Sequence, residues 1–144
     1  MNSKGLSQRF ALIICLAGTL SGTMGFAQQQ SSQKYESIAT VLARVPQKAR
    51  GKSNPFQTDP TAAIAGRKLF GQYCAECHGR TAEGSTRAPS LQSAPRETQP
   101  GEMFWIITNG VVRHGMPSWS KLPDAQRWQI VAFLFSINPP RGPN

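Results

Sequence analysis

Cys74-Ala75-Glu76-Cys77-His78 is the stretch on which the reading of this 144-residue chain turns. Two thiols three positions apart, with a histidine directly after the second, form the C-x-x-C-H pattern of covalent haem attachment. The spacing has a chemical reason. On one helical turn both sulfurs reach the two vinyl groups on one porphyrin edge and form thioethers, and the next residue brings an imidazole to the iron as fifth ligand. Three other readings compete. A structural zinc site wants four ligands, as two such pairs or a Cys pair with a distant His pair. The chain has three cysteines and two histidines, and Cys77 and His78 are sequence neighbours, awkward for one tetrahedron. A thioredoxin-like dithiol would sit near a βαβ pattern, and none is present. The plainest alternative is two ordinary cysteines beside a chance histidine. Against it stand the full motif, an export signal and the absence of other cysteine partners.

That export signal occupies residues 1–27. Lys4 and Arg9 supply a positive start, Phe10 to Leu20 an apolar centre, and Gly25-Phe26-Ala27 small residues where a signal peptidase reads. Gly18, Thr19, Ser21, Gly22 and Thr23 interrupt the stretch well short of the ~20 apolar residues of a membrane span. Ile14 before Cys15 is not the small residue a lipoprotein needs. The expected product is therefore cleaved, periplasmic and without a stable membrane anchor. Cys15 leaves with the signal, so the mature chain keeps only Cys74 and Cys77, both consumed by thioethers. The formal charge is +9, and removing Lys4 and Arg9 leaves 14 basic against 7 acidic residues, or +7. Such a surface suits redox partners with acidic docking faces, or is simply a soluble basic face. Nucleic acid is not expected as a partner outside the cytoplasm.

Residues 28–58 read as a polar and basic N-terminal extension. Gln28 to Gln33 lacks apolar periodicity. Ile38, Val41, Leu42 and Val45 follow helical spacing and predict one short amphipathic helix ending at Pro46. Lys48, Arg50 and Lys52 make a basic connector, expected to be solvated. The domain proper is expected over 59–139, with 140–144 as a tail. Asp59 can cap a helix and Pro60 suits its first position. Ala62, Ala65, Leu69 and Tyr73 share one face of that helix, which runs into the motif. Gly79 and Gly84 mark a loop to Pro89. A second helix is predicted over Glu102 to Thr108, stopped at Asn109-Gly110, and a third from Pro123-Asp124 to Ile137, closed by Pro139-Pro140. The fold class is all-α. About 80 residues make a marginal core by themselves. A covalently held porphyrin would complete it, with Leu69, Phe70, Leu91 and Ile107 packing against the ring.

The sixth ligand separates a carrier from an enzyme. Met103 falls in an apolar helical run, where methionine is usually core filling. Met116 sits in Arg113-His114-Gly115-Met116-Pro117, an irregular loop able to aim a side chain across the porphyrin, and is the favoured ligand. His114 is the alternative, or a solvent-facing loop residue, and an open site is the third possibility. Thioether ligation raises the reduction potential.

These residues together resemble the class I c-type cytochromes over roughly Asp59 to Ile137. The resemblance rests on Cys74-x-x-Cys77-His78, on Ala88-Pro89-Ser90-Leu91, on Gly115-Met116-Pro117 and on the terminal helices. It implies a small helical domain around one haem c, with one edge exposed and an apolar wall around the iron. It also implies that Gly66 and Phe70 meet Ile130 and Phe133, and that the Pro89 carbonyl accepts from the proximal His78 Nδ1–H, which would fix the ring. Trp105 near a propionate and Trp119 shielding the ligand are possible roles, beside that of plain core aromatics. Nothing selects among Arg80, Arg87 and Arg113 as propionate partners. The leading function is an exported monohaem carrier of single electrons and not an enzyme. The alternatives are a haem subunit of a periplasmic dehydrogenase or terminal oxidase, with residues 28–58 as docking arm, and a haem peroxidase or gas sensor.

Overall fold

A computed structural model describes residues 37–94 and 98–137. Within them the backbone forms α1 (Ile38–Ala43), α2 (Gln47–Arg50), α3 (Pro60–Tyr73), α4 (Ala75–His78), α5 (Pro100–Asn109), a 3-10 turn (Val112–His114) and α6 (Asp124–Ile137). The signal expected over 1–27, the polar tract 28–33, the Pro139-Pro140 stop and the tail 140–144 lie outside the described residues. Among the described residues the architecture is all-α, and the one β pairing is an isolated bridge between Val111 and Met116. No described helix is long and apolar enough to cross a membrane.

Helix α3 begins as its sequence dictates. The Asp59 carboxylate accepts from the Thr61 N–H at 2.8 Å and from the Thr61 hydroxyl at 2.7 Å, with Pro60 in the first turn. Helix α5 starts two residues earlier than the apolar run suggested. Pro100 opens it, and Glu102 reaches back to accept from the Gln99 N–H at 2.7 Å. It stops at Gly110, whose φ of 70° disfavours any side chain.

The main packing event is α3 against α6. Gly66 makes it possible, because a Cβ there would lie 1.8 Å from the Gln129 carbonyl oxygen and 3.0 Å from Phe133 Cβ. With the backbones that close, Phe70 and Phe133 meet at 5.2 Å between ring centroids, tilted by 53°. Phe70, Ile130, Val131 and Leu134 are the most completely buried large side chains. Each such burial contributes roughly 1.5–3 kcal/mol. Helix α5 joins through Phe104, stacked on Trp128 at 4.1 Å. The buried Arg127 guanidinium lies 4.8 Å from the Phe104 ring centroid and bonds to Asp124 and the Thr108 hydroxyl.

The connector expected in solvent keeps Lys48 and Lys52 exposed, but its backbone and Arg50 pack against α5. Val41 and Val45 are buried with Ile106 of α5. Arg50 forms an ion pair with the buried Glu102 at 3.1 Å. The buried Asn54 amide donates to the Trp128 carbonyl at 3.0 Å. The polar composition of Lys48-Ala49-Arg50-Gly51-Lys52 concealed this, because the carboxylate that Arg50 pairs with, Glu102, lies 52 positions away in sequence. The predicted helix before Pro46 forms, and a second helical turn, α2, follows it.

Candidate haem site

Cys74 ends α3 with φ −121° and ψ −32°, a break that starts the separate turn α4. The motif therefore occupies its own helical turn, closed by His78 N–H to Cys74 C=O at 2.9 Å. Cys74 and Cys77 are free thiols. Burial, then the neighbouring Cys77, push the Cys74 thiol up to about 12, so without a bound group it stays protonated at neutral pH.

After His78 the chain must turn back sharply. Gly79 and Gly84 take φ of 80° and 89°, and the Gly84 N–H donates to the His78 carbonyl at 2.7 Å. Ser85 laces the loop to the motif: its hydroxyl donates to the Cys77 carbonyl at 2.5 Å and accepts from the Arg87 N–H at 2.9 Å. Arg87 pairs with Glu76 inside the motif at 2.5 Å. This lacing delivers the Pro89 carbonyl to His78 Nδ1 at 3.0 Å. A carbonyl only accepts, so Nδ1 carries the proton and Nε2 is the nitrogen left with a lone pair. Burial lowers the His78 pKa and the Pro89 carbonyl raises it, with burial the larger effect. The imidazole is thus held neutral, the form that ligates a metal.

Met116 arrives from another direction. Val111 and Met116 exchange backbone hydrogen bonds at 3.0 and 3.3 Å, closing a loop that holds the 3-10 turn and the left-handed Gly115. Gly110 allows the close approach, since a Cβ there would lie 2.6 Å from the Met116 carbonyl oxygen. The loop is fastened to the end of α5: the Ser118 hydroxyl donates to the Thr108 carbonyl at 2.7 Å, and the Trp119 N–H to the Ile107 carbonyl at 3.1 Å. Trp119 also packs on Tyr73, at 5.3 Å between centroids, tying the loop to the residue before Cys74.

Between these elements lies a cavity of about 420 Å³, within the ~300–1,000 Å³ of small-molecule and cofactor pockets. Cys74, Cys77, His78, Pro89 and Met116 all line it, and so does the exposed His114. Most of the remaining lining is apolar, including Val41, Leu91, Met103, Ile106 and Trp119. Leu91 was expected there. Leu69, Phe70 and Ile107 are not part of the lining, and they pack in the core that Phe70 and Ile107 share with α6. Trp105 is part-buried against the Val41–Val45–Ile106 cluster, as a core aromatic. The wall residues missed from sequence include Ile38, Val41, Tyr73, Ile106 and Val111. Met103, read as core filling, is both buried and at the cavity.

The donor set fits a haem. Among the described residues no group of three or more His, Cys, Asp or Glu is placed to hold a bare metal ion. Two unpaired thiols on one turn, one oriented neutral imidazole and a thioether around an apolar cavity instead suit a metal that brings its own macrocycle. The class these features define is the single-haem c-type cytochrome.

Comparison with known proteins agrees. Residues 61–134 match the family model described as cytochrome C oxidase, cbb3-type, subunit III, and the chain belongs to that family. It is 34% identical over 84 residues to the cbb3-type cytochrome c oxidase subunit FixPc of Rhizobium leguminosarum bv. viciae, covering 56% of this chain and 29% of that protein. It is 32% identical over 108 residues to the quinohemoprotein alcohol dehydrogenase ADH-IIG of Pseudomonas putida, covering 72% of this chain and 15% of that one. The crystal structure of cytochrome CL from Methylophaga aminisulfidivorans superposes with a TM-score of 0.53 at 30% identity, covering 60% of this chain and 59% of that one. The chain spans less than a third of the length of the curated relatives it matches. Residues 61–134 thus form a cytochrome c domain of the kind that holds one haem c covalently.

Proposed function

We propose that the chain is an exported carrier of single electrons in which Cys74 and Cys77 bear the thioethers, His78 is the proximal ligand and Met116 the distal one. The observation that carries this reading is the convergence of His78 and Met116 on one apolar cavity, with His78 Nδ1 held by Pro89. When bound, the haem supplies a one-electron Fe(III)/Fe(II) couple. The protein's residues do the rest. Pro89 fixes the tautomer and orientation of His78 and raises its basicity as a donor. Met103, Ile106 and Leu91 keep water from the cavity. The Gly110–Trp119 loop holds the thioether of Met116 in place, which leaves no position for a substrate. Under this reading the chain catalyses no reaction.

The layout that goes with the proposal is a signal over 1–27, an N-terminal extension over 28–58, the haem domain over 59–139 and a tail over 140–144. The location is periplasmic, with no stable membrane anchor after cleavage and no nucleic acid as partner. The formal charge of +9, or +7 without Lys4 and Arg9, supports redox protein partners with acidic docking faces. A second reading has support from the relatives: the chain serves as a haem unit of a terminal oxidase or dehydrogenase assembly. Co-purification with a large partner at mild salt favours that reading. A lone, monodisperse protein whose electron exchange slows steeply with salt favours the free carrier.

The optical spectrum tests the ligand set. The ferric protein is expected to show a far-red sulfur-to-iron charge-transfer band that disappears in Met116→Ala and survives in His114→Ala. A six-coordinate low-spin ferric spectrum without the band would reject Met116 in favour of His114, and a high-spin ferrous form that binds carbon monoxide would favour a sensor or peroxidase.

A further inference from the structure

We propose that the segment from Ile38 to Lys52 is a wall that holds the Met116 loop over the haem cavity, with Arg50 as its positioning residue. The inference rests on the reading of Met116 as distal ligand, and it concerns residues outside the 61–134 family match. Val41 and Val45 are buried with Ile106, and Val111 and Met116 pack directly on that cluster. Ile38 and Val41 also line the cavity beside Met116. The segment therefore touches both the loop that presents the thioether and the space the haem takes.

Arg50 keeps the segment seated. Helix α1 is a short helix whose last carbonyls need donors. The Arg50 guanidinium adds them, through Nη2 to the Leu42 carbonyl in the last turn of α1 at 2.6 Å and through Nε to the Val45 carbonyl just beyond the helix at 3.1 Å. Its Nη1 donates to Glu102 Oε1 at 3.1 Å, while Glu102 Oε2 accepts from the Gln99 N–H at 2.7 Å. Glu102 is only 5% exposed, so without Arg50 a buried carboxylate loses its counter-charge. The seat itself is close. A Cβ on Gly101 would lie 2.0 Å from the Ala49 carbonyl oxygen and 2.8 Å from that of Lys52. One clamp thus joins the C-terminus of α1 to the first turn of α5, the helix that carries Met103 and Ile106 to the cavity.

An external ligand can reach the iron only while the thioether is displaced, and its apparent affinity scales with the fraction of molecules in that open form. The experiment is an imidazole titration of the ferric holoprotein, read optically, for wild type, Arg50→Met, Gly101→Ala and the control Gly71→Ala on α3, where a Cβ meets nothing within 4 Å. Both wall variants are expected to keep the far-red band without imidazole and to bind imidazole about tenfold more tightly than wild type. The control is expected to match wild type. Gly101→Ala changes no charge and Arg50→Met adds no clash, so agreement between them points to the seat they share. Unchanged imidazole affinity in both wall variants, or an equal rise in the control, with the band present throughout, would overturn the wall alone. A wild-type spectrum lacking the band would overturn the Met116 reading and the wall with it.

Discussion

Replacing Gly66 by alanine tests the packing that orients the motif helix. By helix propensity alone the change should stabilise α3 by about 1 kcal/mol. The structure reverses the sign. The new methyl would stand 1.8 Å from the Gln129 carbonyl oxygen and 3.0 Å from Phe133 Cβ, both on α6. Restoring an ordinary C···O distance of ~3.3 Å parts the two helices by about 1.5 Å. Gaps of ~0.5–1 Å already forfeit a quarter to a half of a dispersion contact. The loss spreads along the interface that includes the Phe70–Phe133 pair. Overpacking of a close-packed core costs ~1–3 kcal/mol, occasionally more. A net destabilisation of about 3 kcal/mol is expected, which for a domain of this size lowers Tm by roughly 12–24 °C. Thermal unfolding of the ferric holoprotein, followed by far-UV circular dichroism and the Soret band, measures it. Gly71 is the internal control, in the same helix with nothing within 4 Å of its would-be Cβ. Gly71→Ala should be neutral or stabilising by up to about 1 kcal/mol. If Gly66→Ala proves as stable as Gly71→Ala, the close α3–α6 crossing is refuted.

Two further outcomes follow from the same structure. The Thr61 hydroxyl, then the Thr61 N–H, hold the Asp59 carboxyl below its ordinary value of 3.8. The unfolded chain therefore takes up this proton first as pH falls, so the cap's contribution is whole above 3.8 and is lost as pH drops through the lowered folded value. Asp59→Ala should unfold at a lower temperature than wild type at pH ~7, with the gap closing below the unfolded-state value, as paired pH-resolved melts would show. Replacing both Cys74 and Cys77 by alanine should leave haem extractable by acidified acetone and the chain poorly folded; a cooperative, fully helical haem-free variant would contradict the cofactor's part in the core.

The motif was legible because its chemistry demands adjacency: two sulfurs and an imidazole must share one turn, so Cys74, Cys77 and His78 stand together in the sequence. The start of α3 was equally local, since Asp59, Pro60 and Thr61 complete the cap among themselves. The start of α5 was less so. Gln99 is not a typical cap, and its backbone N–H is satisfied by Glu102 reaching back from within the helix. The cavity wall was only partly legible. Helical spacing marks Leu69, Phe70 and Ile107 as inward-facing, but α6 and the cavity compete for inward faces, and periodicity does not distinguish them. Of the wall formed by residues 38–52, the helix before Pro46 was legible from its spacing, but its seat on α5 was not. Its key contact joins Arg50 to a carboxylate 52 positions away, and nothing local separates such an arginine from a solvated one.

The most direct test of the account is an optically monitored redox titration of the purified holoprotein under carbon monoxide. A haem held through Cys74 and Cys77 and closed by His78 and Met116 predicts a single one-electron wave at positive potential, low-spin in both states, with no carbon monoxide adduct. A high-spin ferrous form that takes up carbon monoxide at once, or a wave that does not fit one electron, would contradict it.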